Sequence, residues 1–471
     1  MTGMKGQRFS IKPSPALAQT LRQWIGCQRF VYNAKVQDDR YFRRFARKSL
    51  QLAGQFAPVD QTYSQYKAQV PFLSEIPSQI LRNGAVRWYQ AYQRFFKKLG
   101  GRPTIKTRHG RQSVYVTREL YRFKQSEHGN WYVELGTQTR PIGAVKINCK
   151  PGAFIHAPNS ICLSVHAGRW FISFALPELG ADGEPVLPPE HTELLDGLRS
   201  YNLEELTNAV NGIDRGVIIP ACDSKQVVAT ELLTANDARR ASRERRRKRY
   251  QRKMSRQVKG SRRRERTKLR IARIDRYKAS CRTNQAHQVS HRLTTDDSSR
   301  VIALEQLNVK GMTASAKGDK ENPGRQVKQK AGLNRSILGS GWGELRTYLK
   351  YKCFKRGKLL VSVPSHFTSQ ECSRCGTIDK EARQTQSHYA CNACGFQGNA
   401  DWNASLVIAK HAAWGIHQHL HSGQELSTSG IGKKPKPQTP VELLVSREML
   451  KAYHAQNCET GNPTLNTLKA S

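Results

Sequence analysis

The chain has 471 residues, enough for two to four domains and a sizeable core. Lys and Arg number 78 against 36 Asp and Glu, a net charge of +42 that argues for a polyanionic partner, nucleic acid first, and against a chain made basic only for solubility. No stretch approaches the ~18 uninterrupted apolar residues of a membrane span. Met1–Ser10 lacks the apolar core of a secretion signal, so a soluble cytoplasmic protein is expected, with no membrane partner.

Residues 1–110 read as mainly helical with an N-terminal strand near Phe9–Lys12. Leu17, Leu21 and Trp24 fall at helical spacing. A second helix is predicted from about Pro77 to Leu99, with Leu81, Ala85, Trp88, Tyr92 and Leu99 near one face and Arg82, Arg87, Arg94, Lys97 and Lys98 on the remainder. The first hundred residues hold 17 Lys/Arg and four Asp/Glu, a basic exterior suited to a phosphate backbone.

Within a domain expected over 111–200, the pattern changes to period two from Ser113 to Leu176: Val114/Val116, Trp131/Val133/Leu135, Val145/Ile147, Ile161/Leu163/Val165 and Trp170/Ile172/Phe174. Short strands at this spacing predict a small barrel or sandwich, followed by a linker at Pro185–Glu190.

A further domain is expected over 205–370. Asn211–Ile219 reads as a buried strand carrying one acid, Asp214, with Lys225–Leu232 as its hairpin partner. Ala238–Arg282 contains 22 Lys/Arg and three Asp/Glu, and predicts two basic helices hinged near Lys259–Ser261 in a hairpin over 236–292. Val301–Glu305 is a second apolar strand that ends in a carboxylate. Asn308–Ala331 reads as a mobile loop; Trp342, Leu345, Leu349 and Phe354 mark a helix, and Leu359–Val363 a strand. A cysteine module covers 371–398, a last helix starting near Asp401 lies within 399–421, and 422–471, with Lys433–Pro437, is expected to be a flexible tail.

Eleven cysteines cannot all pair. Four form two tight pairs, Cys372/Cys375 and Cys391/Cys394, separated by fifteen residues, which fits a four-thiolate zinc site. Gly376 and Gly395 follow the pairs where a tight knuckle needs positive φ. An iron–sulfur cluster or a redox pair are the competing readings. With no ligand position open, the zinc would be structural.

Asp214, Glu305 and Asp401 carry the enzymatic reading. An acid inside a buried strand is costly unless it is paired or binds metal. Strand acids converging on an acid at a helix start can hold two divalent cations for phosphoryl transfer. From the residues alone, a helix cap for Asp401 and arginine pairing for the strand acids remain open.

The words around these residues resemble one family. Gly212-Ile-Asp-Arg-Gly216, Leu304-Glu-Gln-Leu-Asn-Val-Lys-Gly-Met312, Thr368-Ser-Gln-Glu-Cys-Ser-Arg-Cys-Gly376 and Asn399-Ala-Asp-Trp-Asn-Ala404 are similar, in order, to the motifs of the TnpB proteins. These are RNA-guided nucleases of bacterial insertion sequences, related to the compact type V CRISPR effectors. The resemblance is specific over about 205–413, looser at Gly26–Asn33, and leaves out 422–471.

It implies a multidomain α+β protein: a helical recognition lobe and a small β-barrel (wedge), then an RNase H-like RuvC nuclease domain with an inserted zinc ribbon. It makes Asp214, Glu305 and Asp401 the catalytic Mg2+ or Mn2+ ligands, two ions in all, and Cys372, Cys375, Cys391 and Cys394 the ligands of one structural Zn2+. The implied partners are a guide (omega-type) RNA and target double-stranded DNA, with use at the bacterial nucleoid. Where the family often has an Asp two residues before its third acid, this chain has Asn399.

Other readings within reach are a compact type V effector, a guided DNA-binding repressor without cleavage, and a DNA-only transposase or zinc-ribbon RNA-binding protein. For the transposase, His417 and His419 fit only superficially; the histidines of His411–His421 read as surface residues.

Overall fold

The computed structural model describes residues 4–46, 59–150, 157–177, 179, 188–228, 237–319, 321–385, 387–428 and 440–459. The chain divides into two compact units, one built from 4–185 and 258–273, the other from 1–3, 186–257 and 274–471.

In the first unit, β1 (Met4–Ile11) leads into α1 (Pro15–Tyr41), whose start is set by Ser14: its hydroxyl caps Leu17 N at 3.3 Å, with Pro15 in the first turn. A short α2 (Ser64–Gln69) precedes α3 (Ser78–Phe96), the helix predicted from Leu81, Ala85, Trp88 and Tyr92, all buried. The period-two segment forms β2 (Gln112–Thr117), β3 (Tyr121–Gln125), β4 (Trp131–Gly136), β5 (Pro141–Asn148), β6 (Ser160–His166) and β7 (Arg169–Pro177). With β1 they make an antiparallel seven-stranded sheet in the order β2-β6-β7-β1-β5-β4-β3. The N-terminal strand thus lies mid-sheet, and α1, α3 and the sheet share one core. Buried Gln28 links all three, donating to Ile80 O at 3.1 Å and Tyr115 O at 2.9 Å and accepting from Tyr115 N at 2.9 Å.

The second unit is a three-layered α/β arrangement. After α4 (His191–Asp196) and α5 (Leu203–Ala209) come β8 (Val210–Asp214) and β9 (Cys222–Asp223). The basic hairpin follows as α6 (Asp237–Ser255) and α7 (Arg262–Thr295), then β10 (Val301–Glu305), α8 (Val309–Met312), α9 (Val327–Ser340), α10 (Trp342–Lys355) and β11 (Leu359–Val363). The partner of β8 is β9 and not the 225–232 segment, of which 229–232 lie outside the described residues; Asp223 holds the chain there by accepting from Val227 N and Val228 N. Within the segment expected as a loop, α9 begins at Val327.

Strands β8, β10 and β11 are parallel, with Val301 beside Val210 and Leu359. A parallel strand covered on both faces needs an unbroken apolar run, as Val301-Ile-Ala-Leu304 supplies. Val210, Val301, Ala303, Val361 and Val363 face one core together with Ile408, Ala412 and Ile416 of the last long helix, α11 (Ala400–His421). Ile213, Ile302, Leu304 and Leu360 face the other, with Val289 and Leu293 of α7 and Leu345 and Leu349 of α10. Before α11, β12 (His388–Ala390) and β13 (Gln397–Asn399) pair as a small ribbon.

The segment expected as a flexible tail contains β14 (Ser427–Thr428), β15 (Leu443–Leu444) and α12 (Arg447–Glu459). Strand β15 extends the sheet alongside β11, and Leu443, Val445 and Met449 enter the core shared with α11. Buried Glu442 anchors the turn, accepting from Ser362 and from Arg346 Nε at 2.8 Å. Apolar burial at these positions overrides the polar composition of the segment before them. No helix among the described residues is long and apolar enough to cross a membrane.

Candidate metal centre

Asp214 closes β8 and Glu305 closes the adjacent parallel strand β10, where Leu304 is registered with Ile213. Their carboxylates therefore leave the same sheet end as neighbours. Asp401 comes from the first turn of α11, which crosses β8 so tightly that a Cβ on Gly212 would stand 2.2 Å from Ser405 O and 2.6 Å from Ala409 N. Only glycine permits that approach, and it delivers Asp401 to the strand acids.

The electrostatics follow from this closeness. Burial, then the charges of Glu305 and Asp401, push the Asp214 carboxyl up to about 7. Burial likewise raises Glu305 and Asp401. Two buried acids beside a third whose ionisation they disfavour form a donor set that multivalent cations would relieve. All-oxygen ligation suits Mg2+ or Mn2+, so these residues fit such ions.

Four further residues hold the trio. Thr368 donates its hydroxyl to Glu305 Oε1, and buried Arg215 donates Nη2 to the Glu305 carbonyl. Arg383, from the segment between the cysteine pairs, reaches Asp401 Oδ1 at 3.0 Å. Asn399 is the N-cap of α11, its Oδ1 accepting from Asp401 N at 2.9 Å and Trp402 N at 3.0 Å. Sequence reasoning missed Thr368, Arg215 and Arg383 as parts of this site, although the first two lie inside the quoted motifs.

The four cysteines come together as the spacing predicts. Sγ of Cys372 lies 3.6 Å from that of Cys394, and Cys375 is equally 3.6 Å from Cys391. A tetrahedron with Zn–S bonds of ~2.3 Å has edges of ~3.8 Å, so the thiolates fit zinc. Gly376 and Gly395 have φ of 76° and 68°, the left-handed conformation expected of the knuckles. Fully buried Asn403 ties the ribbon to α11, accepting from Ser373 N at 2.9 Å and donating to Glu371 O at 2.8 Å.

Next to the centre in sequence, α6 and α7 run antiparallel. Glu244 bonds Lys278 at 2.7 Å and Asp275 bonds Arg247 at 2.7 Å, so two of the hairpin's four acids are spent on inter-helix pairs, while Arg239, Arg245, Arg246 and Arg249 are exposed. Helix α6 has no buried residue.

Three family models match parts of the chain: a Cas12f1-like TNB domain over 342–408, a "Probable transposase" of the OrfB_IS605 type over 200–316, and a helix-turn-helix domain over 1–38. The "Putative RNA-guided DNA endonuclease InsQ" of Escherichia coli (strain K12) is 27% identical over 94% of this chain and 99% of its own. A "Putative RNA-guided DNA endonuclease" of Streptomyces pristinaespiralis is 26% identical over 92% and 96%. Among solved structures, a Cas12f1–sgRNA–target DNA complex aligns with a TM-score of 0.48 and 11% identity, over 87% of this chain and 99% of that one.

Proposed function

We propose, for a chain homologous to the TnpB- and Cas12f1-like RNA-guided nucleases and the transposase domains of the IS605 type, that it is an RNA-guided endonuclease cutting DNA by metal-dependent phosphodiester hydrolysis. The observation that carries the chemistry is the convergence of Asp214, Glu305 and Asp401 from two strand ends and a helix start. A DNA-coating protein gains nothing from three acids gathered at one buried place in a basic chain.

Asp214, Glu305 and Asp401 would hold the two Mg2+ or Mn2+ ions, with Thr368 orienting Glu305. Bound there, the ions supply an activated water and charge stabilisation for the departing 3′ oxygen, leaving 5′-phosphate and 3′-hydroxyl ends. Arg383 brings a positive charge to the same place. The parallel β8-β10-β11 sheet covered on both faces supports an RNase H-like RuvC domain, and the seven-stranded antiparallel sheet, with β2 and β3 as its edges, would be the wedge.

Guide pairing would supply sequence information, while the basic helices grip backbone shape. The transposase-type model over 200–316 favours the insertion-sequence form over a CRISPR effector. The test is cleavage of a plasmid matched to the copurifying RNA, beside a randomised flank. Asp214→Ala is expected to abolish cutting and keep guided binding; undiminished cutting overturns the assignment. Target protection without cutting by the unmutated protein in Mg2+ or Mn2+ favours a guided repressor instead.

A further inference from the structure

Glu371 immediately precedes the first zinc-knuckle cysteine, and its side chain is fully buried. His411, from the middle of α11, is also fully buried, which corrects its reading as a surface residue; its Nε2 stands 2.7 Å from Glu371 Oε2. His454 of α12 brings Nδ1 to 3.9 Å from the same oxygen. Tyr453 donates to the other carboxylate oxygen, Oε1, at 3.1 Å. One ligand-capable atom from each of Glu371, His411 and His454 lies within 4.8 Å of the other two. A loop, a core helix and the outer helix α12 thus meet at one buried point.

A fully buried carboxylate is costly unless a cation faces it. Among the described residues no Lys or Arg makes an ion pair with Glu371, and Lys410 feels its field without reaching it. The groups that do face it are imidazoles. Nδ1 of His411 and Nε2 of His454 are buried and have no hydrogen-bond partner among the described residues. A carboxylate oxygen and two imidazole nitrogens gathered at one point are a zinc donor set with one position left open.

We propose that Glu371, His411 and His454 form a second zinc-class divalent cation site, separate from the four-cysteine knuckle and from the carboxylate trio. Tyr453 fixes the carboxylate's other oxygen, as outer partners of ligating acids do. The ion replaces the Glu371–His411 hydrogen bond, the two atoms parting to the ~3.3 Å edge of a tetrahedron with ~2.0 Å bonds. It fastens α12 to the base of the ribbon and to the helix that carries Asp401. This holds whether or not the chain cuts DNA.

The test is zinc content of the purified full-length protein by mass spectrometry, paired with zinc-edge X-ray absorption. About two zinc per chain and a mixed sulfur and nitrogen/oxygen shell are expected. His454→Ala, on the outer helix, should leave about one zinc in an all-sulfur shell. Glu371→Gln, which keeps the side-chain shape but replaces one acceptor oxygen with an amide donor, should do the same. His417→Ala with His421→Ala should change neither readout. A wild-type protein with about one zinc, all-sulfur, overturns the site and leaves a hydrogen-bonded latch only. A nitrogen/oxygen shell that survives both Glu371→Gln and His454→Ala overturns it too, by placing that ion elsewhere.

Discussion

Arg383 and Asp401 form an ion pair, Nη2 to Oδ1 at 3.0 Å, that joins the segment between the two cysteine pairs to the carboxylate trio. A fixed guanidinium there would compete with a metal ion for Asp401 and would offer charge to a phosphate in transit. The two roles have opposite signatures. Arg383→Ala is expected to lower the saturating cleavage rate about 10²-fold while reducing the Mg2+ concentration needed for half-maximal rate. Arg383→Lys should recover part of the rate. Single-turnover cleavage across a Mg2+ titration separates the two; no change in either quantity would reduce the contact to a surface pair.

Thr368→Val removes the hydroxyl that orients Glu305 and keeps the side-chain shape. The Mg2+ requirement should rise about 10- to 100-fold, with the rate at saturating Mg2+ little altered. A rate loss that excess Mg2+ leaves uncorrected would count against an orienting role.

Burial and its two acidic neighbours push Asp214 up to about 7, so the metal-free folded chain keeps a proton that the unfolded chain has released above about pH 4. Stability therefore falls as pH rises through that window. In Mg2+-free buffer at pH 8, Asp214→Asn should melt about 2–4 °C above wild type. The gap should close toward pH 4 and narrow on adding Mg2+, which stabilises only the wild type. Melting by scanning fluorimetry across pH checks both limbs; a gap independent of pH would refute the electrostatic origin.

Gly212→Ala would put a methyl 2.2 Å from Ser405 O, against backbone that cannot swing away as a side chain can. A loss of about 2–3 kcal/mol is expected, together with loss of cutting, because α11 must shift and take Asp401 with it. Urea unfolding of the full chain gives the first quantity and plasmid cleavage the second.

What was legible in the sequence follows from local physics. Asp214 and Glu305 stand out because a buried apolar run tolerates an acid only for a reason, and the cysteines because their spacing is that of a knuckle. Arg383 lies in a segment with no periodicity and reaches Asp401 only through the folding of the ribbon, so no local pattern marks it. Asn399, read as a departure from a family motif, is a helix cap, a role its position before Asp401 could have suggested. The C-terminal elements were hidden differently. Strand β15 has two residues, too few for alternation to register, and the Lys/Pro run before it pulls the eye toward disorder. Only in three dimensions do Val445 and Met449 find the core beside α11.

The late addition of β15 and β14 beside β11 also sets a schedule. A ribosome releases β8, β10 and β11 in order, but residues 442–445, which hydrogen-bond to Ser362 and Gln306, emerge only after the whole of α11. Domains mature as units during synthesis. The nascent chain therefore carries all three acids before the sheet that supports them has strands β14 and β15, and the candidate metal centre is finished late in translation.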